Sequence, residues 1–291
     1  MNGRFTLRPE EVGYPEQLLS VPRPPKVLNG MGDPALLVRG LAVIGSRKAS
    51  PYGLECAARF AGLAAQWGVT IISGAAMGCD LAAHSAALAA GAPTVAVLGC
   101  GADVDYPRRA AAVLAEVRSG RGAVVSELDW GAPPLPGQFP ARNRIIAGLS
   151  AAVLVVEAAL PSGTFSTADH ALDAGRDVFA VPGSVFYAGS AGCNRLIRQG
   201  AQPITCDEDL RDSLAGVGLL TRAATEACGG HAEPGSDPVL EALRATPMSP
   251  DAIAHALMLD LPSVLRRLAA LEQSGEAALY PDGRYGPCAR H

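Results

Sequence analysis

The chain has 291 residues, nearly half of them hydrophobic, enough for one large domain and a small one. Its net charge of −4 excludes the global basic field common among nucleic-acid binders, so any anion site must be local. The seven cysteines (56, 79, 100, 193, 206, 228 and 288) are scattered and never form C-x-x-C, which argues against a zinc site or a disulfide framework and fits a reducing cytoplasm. No signal peptide is visible, and the longest apolar run, around Ala151–Val156, is too short to span a membrane.

Residues 1–40 are rich in proline and polar residues and read as an irregular N-terminal arm. From 41 to 206, apolar runs alternate with alanine-rich stretches of helical period. The predicted strands are Leu41–Ile44, Thr70–Ser73, Thr94–Leu98, Ala123–Ser126, Val153–Glu157, Val178–Val181 and Pro203–Thr205. The predicted helices are Tyr52–Trp67, Asp80–Ala90, Ala110–Ser119, Ala141–Leu149, Ser166–Ala174 and Cys193–Gln199. Continuously apolar strands separated by helices imply a mainly parallel sheet covered on both faces, an α/β, doubly wound, Rossmann-like domain. Residues 207–236 lose this rhythm and read as a linker with one short helix near Asp207–Leu214. In 237–291, three short helices (Pro238–Ala245, Pro250–Leu257, Pro262–Gln273) precede a ribbon turning at Asp282-Gly283, the pattern of a winged helix.

In a doubly wound sheet the turns after the strands gather at one edge, where ligands bind. Four such turns are rich in small residues: Gly45-Ser46-Arg47-Lys48, Ser73-Gly74-Ala75-Ala76-Met77-Gly78, Gly99-Cys100-Gly101 and Ser162-Gly163-Thr164. Together they suit phosphate, and Arg47 would face the crevice. The stretch Phe139-Pro140-Ala141-Arg142-Asn143-Arg144 carries a second signal. Proline suits a first helical turn, but arginines near a helix N-terminus oppose its partial positive charge. A bound anion would resolve the conflict. Arg142 and Arg144 lie about 200° apart on an ideal helix. Arg142 shares its side with Ile145, Ile146 and Leu149 and is expected to point inward; Arg144 belongs at a rim or in an ion pair. Phe139 could stack on a base or sit in the core. Asp80 and His84, at i and i+4, are expected to form a structural hydrogen bond rather than a metal site. No P-loop, G-x-G-x-x-G or G-x-S-x-G motif occurs, so no catalytic residue, metal or cofactor is assigned.

These strings together resemble the DNA-processing protein A (DprA/Smf) family. They include Ala42–Arg47, Ser73–His84, Phe139–Ser150, Val155–Ala158, Ser162–Thr164, Val181–Gly183 and Gly192–Ile197. The resemblance runs from about residue 14 to 205, with a winged helix to follow. It implies a non-enzymatic, single-stranded-DNA-binding recombination mediator of natural transformation. Such a protein is a cytoplasmic homodimer that protects incoming DNA and loads a RecA-type recombinase. Carried over, Gly45, Ser46, Arg47, Ser73, Gly74, Phe139, Arg142, Asn143 and Arg144 would line the DNA site, and the strand-end turns add Gly99, Ser162, Gly163 and Thr164. Three departures stand out: Met77 where the family usually has Arg, Gly137 where a basic residue is common, and no N-terminal SAM-like domain, as in a naturally short or trimmed form. The alternative is a nucleotide-binding enzyme of the nucleoside-monophosphate phosphoribohydrolase type, disfavoured because Thr167 stands where its catalytic Glu would be. The winged helix carries only Arg266 and Arg267 on its recognition helix, so a protein contact suits it at least as well as duplex DNA.

Overall fold

The computed structural model describes residues 3–220, 237–280 and 283–287 and divides into two compact units. The first is built on a nine-stranded sheet of β1 (Arg4–Leu7), β2 (Leu28–Gly32), β3 (Gly40–Ile44), β4 (Ile71–Ser73), β5 (Thr94–Val97), β6 (Gly122–Ser126), β7 (Ser150–Val155), β8 (Asp177–Ala180) and β9 (Gln202–Pro203). Their spatial order is β1-β2-β6-β5-β4-β3-β7-β8-β9. All neighbours from β6 to β9 are parallel; β1 and β2 are added antiparallel at one edge. Strands β3 to β7 are buried at every position, as expected where helices cover both faces.

The covering helices are α1 (Pro51–Gln66), α2 (Cys79–Ala89), α3 (Ala111–Glu116), α4 (Gln138–Leu149), α5 (Thr164–Asp173), α6 (Ala191–Arg198) and α7 (Asp207–Gly216). Successive strands β3 to β6 step outward in one direction; the chain then returns to lay β7 on the other side of β3. The reversal between β3 and β7 is the topological switch point, where the turns after two neighbouring strands diverge and leave a crevice.

The irregular arm expected over residues 1–40 is corrected: it contributes β1 and β2, which extend the sheet beyond β6. Leu18 and Leu28 are fully buried in the main core, and Tyr14 Oη donates to Pro25 O at 2.8 Å. Proline and polar residues mask these strands because only alternate positions of β1 face the protein. Strand β7 starts three residues earlier than predicted. Helix α4 ends directly at Ser150, whose hydroxyl donates to Ile146 O at 2.7 Å while its backbone already pairs with Gly40. Ala151 and Ala152 carry no strand propensity, so pairing with β3 decides their conformation. The helix predicted over Ala110–Ser119 shortens to α3 and a wide turn through Val117–Arg121, with Gly120 at φ +106°.

The second unit holds α8 (Pro238–Ala245), α9 (Pro250–Leu257), α10 (Leu261–Gln273) and a ribbon of β10 (Ala277–Leu279) and β11 (Tyr285–Pro287). Each helix starts the same way. Asp237, Ser249 and Asp260 accept hydrogen bonds from the N–H of Val239, Ala252 and Ser263, and a proline follows in the first turn. Val239, Leu243, Ile253, Val264, Leu268, Leu271 and Ala277 form a separate small core. Pro281 and Asp282 of the expected turn, and residues 221–236 of the expected linker, lie outside the described residues.

Candidate functional site

A cleft of about 740 Å³ opens at the carboxyl ends of β3 and β7, on the switch point. The turn after β3 supplies Gly45, Ser46, Arg47 and Lys48; the segment after β7 supplies Glu157 and Ser162–Thr164; α4 supplies Phe139, Arg142 and Asn143; and the segment after β8 supplies Tyr187–Gly189. A smaller recess of about 60 Å³ adjoins it, lined by Gly74–Met77, Gly99, Cys100 and Tyr106. Arg47, Phe139 and Arg142 border both.

The two turns beside the switch point are locked by their own side chains. Ser46 Oγ accepts from Lys48 N at 3.2 Å. Ser162 Oγ accepts from Thr164 N at 3.2 Å, opening α5 with its positive end toward the cleft. Thr164 Oγ1 donates to Gly45 O at 3.5 Å, joining the two turns. Asn143 reaches across from α4: Nδ2 donates to Ser166 Oγ at 2.7 Å, and Oδ1 accepts from Arg142 Nε at 3.2 Å.

The cations divide sharply. Arg47 and Lys48 are exposed, and among the described residues no carboxylate pairs with either. Arg47 lies 5.5 Å over the ring of Phe139, whose other neighbour is Tyr106, ring centroid also 5.5 Å away. The half-buried Phe139 rests against Gly99, where a Cβ would approach within 2.9 Å of the ring. Glycine there is what admits the aromatic ring at the cleft wall.

Arg142 is inward, as its helical face predicts, but it is a structural residue. It is 5 % exposed and its Nη1 donates to Gly74 O at 2.8 Å and to Val97 O. Asp80 grips the same turn, its Oδ2 accepting from Gly74 N at 3.1 Å and Ala76 N at 3.3 Å. Burial pushes Arg142 down to about 10, opposed by the charge of Asp80; burial also raises Asp80, opposed chiefly by Arg142. A Cβ on Gly74 would fall 2.6 Å from the Arg142 guanidinium, so this glycine makes room for the clamp rather than for a ligand. Arg144 lies outside the cleft. Its Nη1 and Nη2 donate to Glu127 at 2.7 and 2.6 Å, and its Nε to Arg23 O at 2.9 Å. The electrostatic conflict at the start of α4 is therefore answered by Asp80 and Glu127, carboxylates of the chain itself, and the expectation of an anion between the two arginines is corrected.

Ser73 also falls outside both cavities: it is fully buried and donates to Val43 O at 2.6 Å. Gly45 borders the cleft, yet a Cβ there would meet Cys79 Sγ at 2.6 Å, so its smallness serves the packing of α2. The expected Asp80–His84 hydrogen bond is absent. His84 Nδ1 instead meets Thr94 Oγ1 at 2.7 Å, and Thr94 Oγ1 donates to Ile71 O at 2.8 Å. With the threonine proton committed, His84 Nδ1 carries the hydrogen and donates. Burial pushes this imidazole down to about 4. Among the described residues, no group of three or more His, Cys, Asp or Glu side chains is placed to hold a metal ion, and no helix is long and apolar enough to cross a membrane.

Tyr106 and Tyr187 escaped the sequence reading; they lie in loops whose course only the sheet order brings to the cleft, whereas Lys48 is read in the turn after β3 without being assigned a contact. In the second unit, Arg267 pairs with Asp237, and Arg266 Nη2 donates to Ser263 Oγ at 3.1 Å. Both arginines of the recognition helix are thus engaged within their own unit.

A doubly wound sheet with an open cleft at its switch point, followed by a winged helix, defines a two-unit α/β protein of Rossmann-like type. Residues 5–215 match the family model for DNA recombination-mediator protein A, and residues 223–283 that for the DprA winged helix domain. The chain belongs to the DprA/Smf family. It is 41 % identical over 278 residues to Protein Smf of Escherichia coli, covering 93 % of this chain and 74 % of that one. The X-ray structure of DNA processing protein A from Streptococcus pneumoniae superposes with a TM-score of 0.67 at 39 % identity, over 72 % of this chain and 73 % of that one. The Helicobacter pylori protein, whose structure concerns a single-stranded DNA binding mode, gives 0.66 at 31 % identity, over 74 % of this chain and 99 % of its own.

Proposed function

We propose that this chain binds single-stranded DNA in the switch-point cleft and acts there as a recombination mediator rather than as an enzyme. The phosphate backbone runs past Arg47, Lys48 and the N-terminus of α5, and a base lies against Phe139. The observation that carries this reading is that Arg47 and Lys48, exposed and without a carboxylate partner among the described residues, line the same cleft as the half-buried ring of Phe139. Charge for phosphate and a π-face for bases is the combination that sequence-independent single-strand binding requires. Gly45, Ser46, Arg47, Phe139, Asn143 and Ser162–Thr164 form the contact surface; Gly74, Gly99 and Arg142 shape it from behind.

Belonging to the family supports the remaining parts of the proposal: protection of incoming DNA during natural transformation, loading of a RecA-type recombinase, homodimerisation and a cytoplasmic location. The resemblance to phosphoribohydrolases is not favoured by the comparisons. Thr167 borders the cleft where that chemistry would place a glutamate, and burial raises the Cys79 and Cys193 thiols, so neither is a ready nucleophile. Competition binding tests the proposal: unlabelled single strand should displace a labelled oligo-dT from the full chain at lower concentration than duplex of equal length. Incubation with AMP should release no adenine. Preference for duplex, or turnover of AMP, would overturn the reading.

A further inference from the structure

Of the six phenylalanines, Phe186 alone is exposed, at 98 %, and Val185 beside it is 82 % exposed. They form the tip of the segment joining β8 to α6. The tip is held rather than loose. Phe186 N donates to Ser184 Oγ at 3.2 Å, Tyr187 N to Ser184 O at 3.1 Å and Ser190 N to Tyr187 O at 3.0 Å. At its base, Gly183 and Asn194 exchange two hydrogen bonds of 3.2 and 2.9 Å. An ordered tip pays little entropy on binding, so its apolar surface is available for a ligand.

The next residues, Tyr187–Gly189, line the cleft. Along the carboxyl edge the order of features follows the strands: Phe139 against Gly99 after β5, Arg47 after β3, Ser162 after β7 and the Phe186 tip after β8. Arg47 and Phe139 thus mark one end of the cleft and the Phe186 tip the other, four strand positions along the edge from β5 to β8. From Pro182 to Ala191 the segment carries no charged residue, so this end has nothing for a phosphate and an aromatic face for a base.

Resting on the single-stranded DNA reading, we propose that Phe186 is a second base-stacking residue, which receives an unstacked base of the strand where it leaves the cleft on the β8 side. Stacking on Phe186 is then independent of charge and adds to the contacts made at Arg47 and Phe139.

The test compares wild type, Phe186→Ala, Phe186→Trp and Arg47→Ala, each as the full chain, by anisotropy of labelled oligo-dT across a salt series. Phe186→Ala should weaken binding about tenfold with an unchanged salt slope, whereas Arg47→Ala should lower affinity and slope together. Phe186→Trp should retain wild-type affinity, and its added fluorescence should be quenched by oligo-dT. Wild-type affinity for Phe186→Ala, with Arg47→Ala weakened, would overturn the Phe186 assignment and leave the cleft intact. A changed oligomeric state with unchanged affinity per protomer would overturn it in favour of a contact between two copies. No binding by wild type would overturn both readings.

Discussion

Replacing Arg47 by alanine isolates the electrostatic part of the site. The guanidinium is exposed and pairs with no carboxylate among the described residues, so its removal strips nothing from the fold except its place 5.5 Å over the Phe139 ring. An exposed cation–π contact contributes about 0.5–1 kcal/mol, and that bounds the expected loss of stability. The loss of binding should be larger. A charge-assisted hydrogen bond to phosphate contributes about 1.5–3 kcal/mol, which corresponds to roughly a 10- to 150-fold weaker complex. Losing one phosphate contact should also reduce the slope of log K against log salt by about 0.7, the value for single strands. Anisotropy with oligo-dT at four or five salt concentrations reads both quantities, and urea unfolding reads the stability. Affinity within twofold of wild type, or a weakened complex with an unaltered slope, would refute the assignment of Arg47 to the DNA backbone.

Other substitutions separate scaffold from contact. Arg142→Ala should cost about 3–5 kcal/mol in urea unfolding, because it leaves the carbonyls of Gly74 and Val97 without their donor and the buried Asp80 without the nearby positive charge that opposes its burial. Arg144→Ala should leave oligo-dT affinity within twofold of wild type, since its guanidinium is committed to Glu127; a tenfold loss would return it to the binding surface. The fully buried His84 predicts a pH effect. Its folded pKa of about 4 lies below the ordinary 6.5, so the unfolded chain takes up the proton first as pH falls. The stability of the neutral imidazole is fully present above pH 6.5 and is lost progressively down to about pH 4. The loss is on the order of 3 kcal/mol, and urea unfolding of His84→Gln should show a shallower dependence across that window.

The sheet was legible because its inner strands are continuously apolar, a pattern that survives without knowledge of their neighbours. The helices of the second unit were legible for a different reason: Asp237-Pro238, Ser249-Pro250 and Asp260-Leu261-Pro262 announce their own starts. The arm was not, since β2 gains its strand character from pairing with β6, distant in the chain, and β1 in turn from pairing with β2. Within the site, helical geometry placed Arg142 inward and offered Arg144 an ion pair. Only the fold reveals that Gly74 O and Val97 O receive Arg142, because those carbonyls come from the ends of two other strands. Ser73 failed for the same reason: a small polar residue at a strand end can face the crevice or the neighbouring strand, and Val43 O takes its hydroxyl. Arg47 stood out from its turn alone, and the structure leaves it exposed.

The central claim is that a local pair of cations in an acidic protein binds single strands. The most direct measurement is equilibrium binding of the full chain to a single-stranded oligonucleotide and to its duplex, each titrated with salt. Tighter binding to the single strand at every salt concentration, with an affinity that falls as salt rises, is the predicted result. Equal or tighter binding to duplex, or affinity indifferent to salt, would contradict it.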